Sequence, residues 1–309
     1  MSPAPNSQTI ALTGATGFIG TAVLRSLLAA GYRVKVLIRD PRAPLPKKPK
    51  FQIVYGRIED PRAISELLDE TDGIVNCAGS VRGRNLADFE AANVVGPEHL
   101  AKAISQSAHP PYLVHISSLA ARHPELSDYA QSKALGEENI KALSSRFSII
   151  RPPAVYGAQD KELKPVFDMM RKGLSFVPGS GNGHFSLLHV EDLADAVLQL
   201  LRSQKRIEHP LELDDGKENG HTWTTLASTV RGGENDTGRL IRIPHSVLSF
   251  SGSLNVIFSK LIRYSPMLTP GKANELTHEN WVSNRDNWTE IDWKPTISLR
   301  NGIERIYNA

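Results

Sequence analysis

The chain has 309 residues, 40% of them hydrophobic, which is enough for one large domain and a smaller one with their own buried cores. Its net charge of +3 is nearly balanced and does not indicate a nucleic acid partner, and its single cysteine, Cys77, excludes a disulfide framework and a cysteine-based metal site. Residues 1–8 have neither the basic start nor the apolar core of a signal peptide, so we expect a short disordered tail there and a protein of the reducing cytoplasm.

The first predicted element is a strand–turn–helix unit. A short apolar strand, the glycine-rich stretch Thr13–Gly20 and a helical pattern at 21–31 follow one another. Gly14 suits a tight turn, Gly17 lets the main chain approach a pyrophosphate, and Gly20 lets the helix lie close to the sheet. The free N–H groups at the start of the helix favour an anion. The pattern predicts a dinucleotide-binding corner, and an ordinary glycine-rich turn is the alternative.

Strand-like and helix-like segments alternate through the rest of the first half. Strands are expected at 34–38, 51–55, 73–79, 112–118 and 147–153, and helices at 63–70, 86–107 and 127–144. Asp60 and Pro61 supply an N-cap and a first-turn proline for the first of these helices. Repeated β-α-β units of this length predict an α/β protein with a doubly wound parallel sheet of the Rossmann type, with ligands at the carboxyl ends of its strands.

The alternation weakens after Gly157, and a second, smaller α+β region is expected there. The amphipathic pattern at 189–203 predicts a helix packed on the nucleotide domain. We therefore expect that domain to comprise residues 1–157, with 184–210 returning to it. A substrate-binding cap would comprise residues 158–183 and 211–309 and would set specificity.

One apolar segment of the cap, Val247–Ile262, raises the question of whether it contacts a membrane. Serines, a glycine, an asparagine and a lysine interrupt it, and no run in the chain approaches the ~18 apolar residues of a membrane span. We interpret it as a packed amphipathic helix, with a helix lying on a membrane surface as the alternative.

Two residues four positions apart on a predicted helix carry the chemistry. Tyr129 and Lys133 would lie on one face of that helix, one turn apart. A free tyrosine has a pKa of about 10, and a nearby ammonium group lowers it. We interpret Tyr129 as a general acid–base whose pKa is tuned by Lys133, and Ser118, at the end of the preceding strand, as the hydrogen-bond partner of the reacting oxygen.

Together these motifs resemble those of extended short-chain dehydrogenases/reductases, the NAD(P)-dependent epimerase/dehydratase family, and within it the dihydroflavonol-reductase-like enzymes. The matching segments are Thr13–Gly20, Asn76–Gly79, Ala92–Leu100, His115–Ser118, Tyr129–Lys133, Arg151–Gly157 and His189–Val197. The resemblance implies a catalytic triad of Ser118, Tyr129 and Lys133. It also implies that Lys133 binds the nicotinamide ribose and that the Arg151–Gly157 segment passes beside the nicotinamide.

The same resemblance implies where the cofactor lies. The expected contacts are Gly14, Thr16, Gly17, Phe18, Ile19, Arg39, Ile58, Ala78, Asn93, Tyr129, Lys133, Pro153 and Val155. Arg39 follows the second strand, where a guanidinium suits the 2′-phosphate of NADP, with Arg42 and Lys47 adding charge nearby and Asp40 as a complication. We therefore expect NADP, with NAD as the second choice. For Asn93, a purely structural bridge between backbone groups is the alternative.

The predicted activity is an NADP-dependent hydride transfer to or from a carbonyl or alcohol, with a small-molecule substrate and no metal. Ala154 stands where sugar-nucleotide epimerases often carry asparagine, and Leu119-Ala120 replaces the acids of the dehydratases. An NAD-dependent nucleoside-diphosphate-sugar epimerase and a non-catalytic NADP-binding regulatory or assembly protein are the alternatives. Homodimers on two long helices, near 85–108 and 127–144, are common in this family, and the resemblance implies that one is possible here.

Overall fold

A six-stranded parallel sheet organises the first half of the chain. The computed structural model describes residues 8–43, 50–233, 236–286 and 288–308, so Lys47 and residues 1–7 of the expected tail lie outside the described residues. The strands are β1 Thr9–Thr13, β2 Arg33–Ile38, β3 Gln52–Tyr55, β4 Gly73–Asn76, β5 Tyr112–Ile116 and β6 Phe147–Ile150. Their order is β3-β2-β1-β4-β5-β6, with every pair parallel. This is the predicted Rossmann order, whose direction reverses between β1 and β4.

Helices cover both faces of this sheet and build most of the cap. They are α1 Phe18–Ala29, α2 Pro61–Leu68, α3 Ala87–Glu90, α4 Gly96–Gln106, α5 Asp128–Lys141, α6 Lys164–Arg171, α7 Val190–Ser203, α8 Trp223–Arg231, α9 His245–Ile262, α10 Pro270–Thr277 and α11 Leu299–Tyr307. The carboxylate of Asp60 accepts a hydrogen bond from the Arg62 N–H, so the predicted N-cap of α2 is confirmed. The helix expected at 86–107 is interrupted by a π-helical turn, Ala91–Val95, between α3 and α4.

Two buried apolar clusters lie on the two faces of the sheet. Successive residues of a strand point to opposite faces, so Leu12 packs in the cluster under α1 and α7, whereas Ala11 packs in the cluster under α2 and α4. All five residues of β1 are buried. This burial on both sides explains the continuous apolar runs of the sequence, which are typical of parallel sheets.

Beyond the six-stranded sheet, the described part of the chain has short strands and a third apolar cluster. These strands are β7 Ala154–Tyr156, β8 Leu174–Pro178, β9 His184–Phe185, β10 Leu187–His189, β11 His221–Thr222, β12 Arg239–Ile243 and β13 Asn280–Trp281. β7 pairs with β10, β8 with β12, and β9 lies between β11 and β13. The third cluster includes Phe167 of α6, Leu226 of α8 and Ile303 of α11.

Parts of the chain far from the first half also pack on the nucleotide domain. α7 packs against α1, as the sequence predicted. Leu211 pairs with Ile150 at the edge of the sheet, and Trp293 is buried in the cluster under α1 and α7. The core of the nucleotide domain therefore extends past the segment 184–210 that we assigned to it.

The segment at 247–262 forms the expected helix, α9, but the expectation that its apolar side chains are packed is wrong. Phe250 and Leu261 are exposed, whereas Gly252 and Ser259 are buried. A Cβ at Gly252 would lie 2.6 Å from the backbone carbon of Thr269, so the inner side of α9 has room only for small residues. Among the described residues, no helix has the length and apolarity needed to cross a membrane.

Candidate active site

The glycine corner between β1 and α1 is built by close backbone contacts. Gly14 has a φ of +69°, and a Cβ there would lie 2.6 Å from the backbone carbon of Cys77 after β4. A Cβ at Gly20 would lie only 2.1 Å from the Gly14 carbonyl oxygen. A glycine is thus needed at position 20 because of its contact with the turn, whereas the sequence analysis attributed it to close packing of the helix on the sheet.

The first turn of α1 fits the pyrophosphate of a dinucleotide. Its N-cap, Gly17, makes no side-chain capping bond, and both Thr16 and Gly17 are exposed. Phe18 and Ile19 are half-buried behind them. N–H groups at a helix start carry partial positive charge and have no partner within the helix. An anion in front of Gly17 would meet these groups with no Cβ in the way.

Arg39 and Asp40 follow β2 at the edge where the adenosine ribose is expected. Arg39 is exposed. The Asp40 carboxylate accepts hydrogen bonds from the Arg42 N–H and from its guanidinium, with an Nε–Oδ1 distance of 3.1 Å. These bonds, the backbone one first, lower the pKa of Asp40. The acid that complicated the cofactor prediction is therefore hydrogen-bonded to Arg42.

Two other predicted cofactor residues, Ile58 and Ala78, lie in tightly packed surroundings. Ile58 is buried against α4, where a Cβ at Gly96 would lie 2.9 Å from its side chain. The Ala78 N–H points to the Thr13 hydroxyl at 3.2 Å and to the Asn76 side-chain oxygen at 3.3 Å. These contacts hold the loops at the carboxyl ends of β3 and β4 in place, and direct contact of Ile58 and Ala78 with a nucleotide stays a prediction.

Asn93 lies in the π-helical turn and bridges two segments. Its side-chain nitrogen donates to the Ser80 carbonyl and to the Ser132 hydroxyl, both at 2.9 Å, and its oxygen accepts from the Ser80 N–H at 2.8 Å. The side chain thereby ties the loop after β4 to α5. This is the bridging role that the sequence left open as the alternative, and it uses the polar groups of Asn93 for the protein itself.

The predicted triad residues come together at the end of β5 and the start of α5. Ser118 follows β5 and caps a short 3-10 helix, and Ser127 caps α5, two residues before Tyr129 and six before Lys133. The Ser118 side chain is close enough to the Tyr129 phenol to oppose the rise in its pKa. Phe89 packs edge-on against the Tyr129 ring, with centroids 5.9 Å apart, and fixes its orientation.

The charge beside the Tyr129 phenol differs from the predicted one. Burial raises the pKa of Tyr129, while the hydrogen bond to Ser118 and the nearby Lys272 ammonium oppose that rise. Lys133 is buried and donates to the Ile116 carbonyl at 2.9 Å. Its burial lowers its own pKa to about 8, although Glu137 acts in the opposite direction. In this structure the cation that lowers the pKa of the phenol is Lys272, and tuning by Lys133 stays a prediction.

Sequence reasoning missed Lys272 and Glu275, which α10 brings to the site. The Lys272 ammonium lies 5.9 Å from the centroid of the Tyr129 ring and donates to Glu275 at 2.7 Å. Burial disfavours this ammonium, but the attraction of Glu275 outweighs that effect and raises the pKa of Lys272. Glu275 also accepts a hydrogen bond from Ser127, the cap of α5. A lysine three residues before a glutamate in a helical pattern was the only available signal, and it also fits an exposed helix.

A buried ion pair holds the far end of α5. Glu137 is fully buried and accepts two hydrogen bonds from the Arg151 guanidinium, at 2.8 and 2.7 Å, and one from Ser117 at 2.5 Å. Just beyond Arg151, Pro153 is buried and Val155 is half-buried in β7. This brace sets the position of α5 relative to the chain segment that was predicted to pass beside the nicotinamide.

Tyr129 opens into a cavity of about 380 Å³ between α5, α9 and α10. Its polar end is formed by Ser127, Tyr129, Lys272 and Glu275. The remaining wall combines the apolar side chains of Val81, Phe89, Val256, Ile257, Pro266 and Met267 with the polar side chains of Arg84, Asp128, Ser253 and Thr269. An acid–base group beside large apolar side chains suits a substrate with one reactive polar group and an apolar portion.

Comparisons with known proteins agree on one family. The model of the NAD dependent epimerase/dehydratase family matches residues 10–213. The chain is 34% identical over 277 residues to the ceramide reductase of Caulobacter vibrioides, covering 88% of this chain and 85% of that protein. It is 27% identical to the UDP-glucose 4-epimerase of Vibrio cholerae, covering 98% and 95%. A human epimerase family protein solved with NADPH shares the fold, with a TM-score of 0.73, 20% identity and coverage of 97% and 99%.

Proposed function

Because this chain belongs to the NAD-dependent epimerase/dehydratase family, we propose that it is an NADPH-dependent reductase of a carbonyl on a long-chain, lipid-like substrate. One observation carries the proposal. Tyr129, with Ser118 beside it, lies at the polar end of a cavity that is also lined by large apolar side chains, among them Phe89, Val256 and Ile257. The similarity to a ceramide reductase supports the same substrate class.

Each polar group at that end has a defined task in the proposal. Bound NADPH supplies the hydride that reduces the carbonyl carbon. Tyr129 donates its phenolic proton to the carbonyl oxygen, and Ser118 holds that oxygen by a hydrogen bond. Burial raises the pKa of Tyr129, which keeps the phenol protonated and ready to donate. The Lys272 ammonium stabilises the phenolate left behind, since the two groups lie close together in a water-poor site.

The choice of NADP over NAD rests on the end of β2. Arg39 is exposed there, and a guanidinium binds a phosphate through two parallel hydrogen bonds. Asp40, which would otherwise repel a 2′-phosphate, is already paired with Arg42. Replacing Arg39 with Ser should therefore weaken binding of NADPH far more than binding of NADH.

The test is the variant Tyr129→Phe, which removes one hydroxyl and leaves the ring in place. The rate of NADPH oxidation with a long-chain ketone should fall about 10²- to 10⁴-fold, the usual contribution of a positioned general acid. Binding of NADPH, measured by its fluorescence, should be unchanged. Tyr55→Phe, an exposed tyrosine of β3, is the matched control and should keep full activity. Full turnover in Tyr129→Phe would refute the proposal.

An epimerase is the second candidate, because the epimerase from Vibrio cholerae aligns with almost the whole chain. Ala154, the residue that replaces the family's frequent asparagine, is exposed in β7 and offers no polar side chain to a sugar diphosphate. The two candidates differ in how the cofactor is held. NAD that survives purification and supports interconversion of sugar nucleotides would favour the epimerase, and exchangeable NADPH would favour the reductase.

A further inference from the structure

The outer side of α9 carries a continuous apolar face. Its exposed members are Val247, Phe250, Leu254, Ile257, Phe258, Leu261 and Ile262, with Phe250 67% and Leu261 80% exposed. Spacings of three, four and seven residues place these side chains on one side of the helix. The opposite side packs on α10 and buries Gly252 and Ser259. The amphipathic pattern is thus inverted, and a patch of this kind marks a surface that meets an apolar partner.

The chain around this apolar face is basic and contains no acid. No Asp or Glu occurs between Thr237 and Asn274. The exposed cations of this stretch are Arg239, Arg242, Lys260 and Arg263. The acids at its two ends are both engaged, Asp236 with Arg231 and Glu275 with Lys272, each at 2.7 Å. Two of these cations, Lys260 in α9 and Arg263 at its C-cap, lie on the helix itself. Cations beside an apolar helix face complement anionic lipid headgroups around acyl chains.

We propose that α9 lies in the surface of an anionic lipid bilayer, with its apolar face among the acyl chains and its basic residues among the headgroups. The helix has 18 residues and is about 27 Å long, a length that suits a helix lying flat in the interface. Binding in this orientation leaves the inner side of α9 and its contact with α10 unchanged.

The apolar face continues into the wall of the active-site cavity. Ile257 belongs to both, and its neighbours Ser253 and Val256 line the cavity. A substrate with a long apolar chain would therefore pass from the bilayer to Tyr129 along α9. This second step rests on the proposed reductase function, whereas binding of α9 to the bilayer does not.

Flotation with vesicles tests the docking directly. The full chain should float with vesicles of phosphatidylcholine and phosphatidylglycerol, and much less with vesicles of phosphatidylcholine alone. The double variant Phe250→Ser/Leu261→Ser should reduce the bound fraction at least about tenfold, because it removes two large side chains from the inserted face. Leu135→Ser removes an exposed leucine from α5 and is the matched control, with binding expected at the level of the unaltered chain.

A second variant separates the contribution of charge. Lys260→Gln/Arg263→Gln keeps the apolar face and should weaken binding to the anionic vesicles, as should added salt, because both reduce attraction to the headgroups. If the full chain floats with neither type of vesicle, the proposal is overturned. A homodimer in solution that Phe250→Ser/Leu261→Ser converts to monomer would also overturn it, since the face would then be an interface between copies of the chain.

Activity measurements distinguish this inference from the proposed function. With a short, water-soluble ketone, Phe250→Ser/Leu261→Ser should turn over as fast as the unaltered chain, and with a long-chain ketone embedded in anionic vesicles it should be slower. Flotation without turnover of any ketone would refute the reductase and leave the membrane docking standing. Turnover of both substrates without flotation would refute the docking and leave the reductase standing.

Discussion

Two long helices, α5 and α9, differ in the residues that they bury. α5 has 14 residues and buries the charged groups of Lys133 and Glu137, whereas α9 has 18 residues and buries only Gly252 and Ser259. Each helix has a glycine at its closest contact: a Cβ at Gly136 of α5 would lie 2.2 Å from the Asn93 carbonyl oxygen. The comparison shows that burial is decided by which elements approach a helix and what they offer its side chains, and hydrophobicity alone does not predict it.

The largest expected effect concerns the buried charge of α5. Glu137→Ala should lower the free energy of unfolding by about 3–5 kcal/mol, because it removes both hydrogen bonds to the half-buried Arg151 guanidinium and leaves only Glu212, at 3.7 Å, as its ion-pair partner. Glu138→Ala, at the next position of α5, removes an exposed carboxylate paired only with Lys141 and should change stability by less than about 1 kcal/mol. Urea unfolding of both variants is the measurement. Equal losses would contradict the assignment of the brace.

Substitutions of isoleucine in α5 and in α9 compare how tightly the two helices are packed. Ile140 of α5 is fully buried, and Ile140→Ala should cost about 2–5 kcal/mol of unfolding free energy through the cavity that it leaves. Ile262 of α9 is 69% exposed, and Ile262→Ala should stay within about 0.5 kcal/mol of the unaltered chain. If the two substitutions cost the same in urea unfolding, α9 is packed in solution and the comparison fails.

The close packing of the inner side of α9 can be tested with Gly252→Ala, because its effect on stability should be opposite to that in an open helix. In an open helix, Gly→Ala stabilises by about 1 kcal/mol. At Gly252 the new Cβ would lie 2.6 Å from the Thr269 backbone, so Gly252→Ala should instead destabilise by about 1–3 kcal/mol. Ser251→Ala, at the exposed neighbouring position, serves as the control and should be neutral or slightly stabilising. A stabilising Gly252→Ala would show that α9 and the segment before α10 do not meet as described.

The smallest expected effect is a pH dependence of stability. Burial lowers the pKa of Lys133 from 10.5 to about 8, so above that pH the unfolded chain holds the proton that the folded chain releases. The free energy of unfolding should therefore rise by about 1 kcal/mol over the first pH unit above this pKa through Lys133 alone. In Lys133→Met this contribution should be missing when cofactor-free samples are unfolded in urea. Parallel pH curves for the two proteins would contradict the lowered pKa.

Features that depend only on residues close in sequence could be predicted from the sequence. The strand and helix periods of residues 10–150 follow from local patterns of apolar residues, and they predicted the parallel doubly wound sheet that the structure has, because β-α-β connections are restricted in hand. The N-cap of α2 and the shared face of Tyr129 and Lys133 are also set within one helical turn. For these features, backbone geometry and sequence spacing are sufficient.

Other features depend on residues that are distant in sequence. Lys272 acts on Tyr129, and Glu275 binds Ser127 across 148 residues, only because α10 docks at the start of α5. Likewise, the apolar pattern of Val247–Ile262 determined a helix, but which side of it faces solvent was decided by the backbone of Thr269 packed against Gly252. Local propensities are summed along the chain, whereas burial and pKa depend on what the fold brings within a few ångströms, and that information is absent from any single segment.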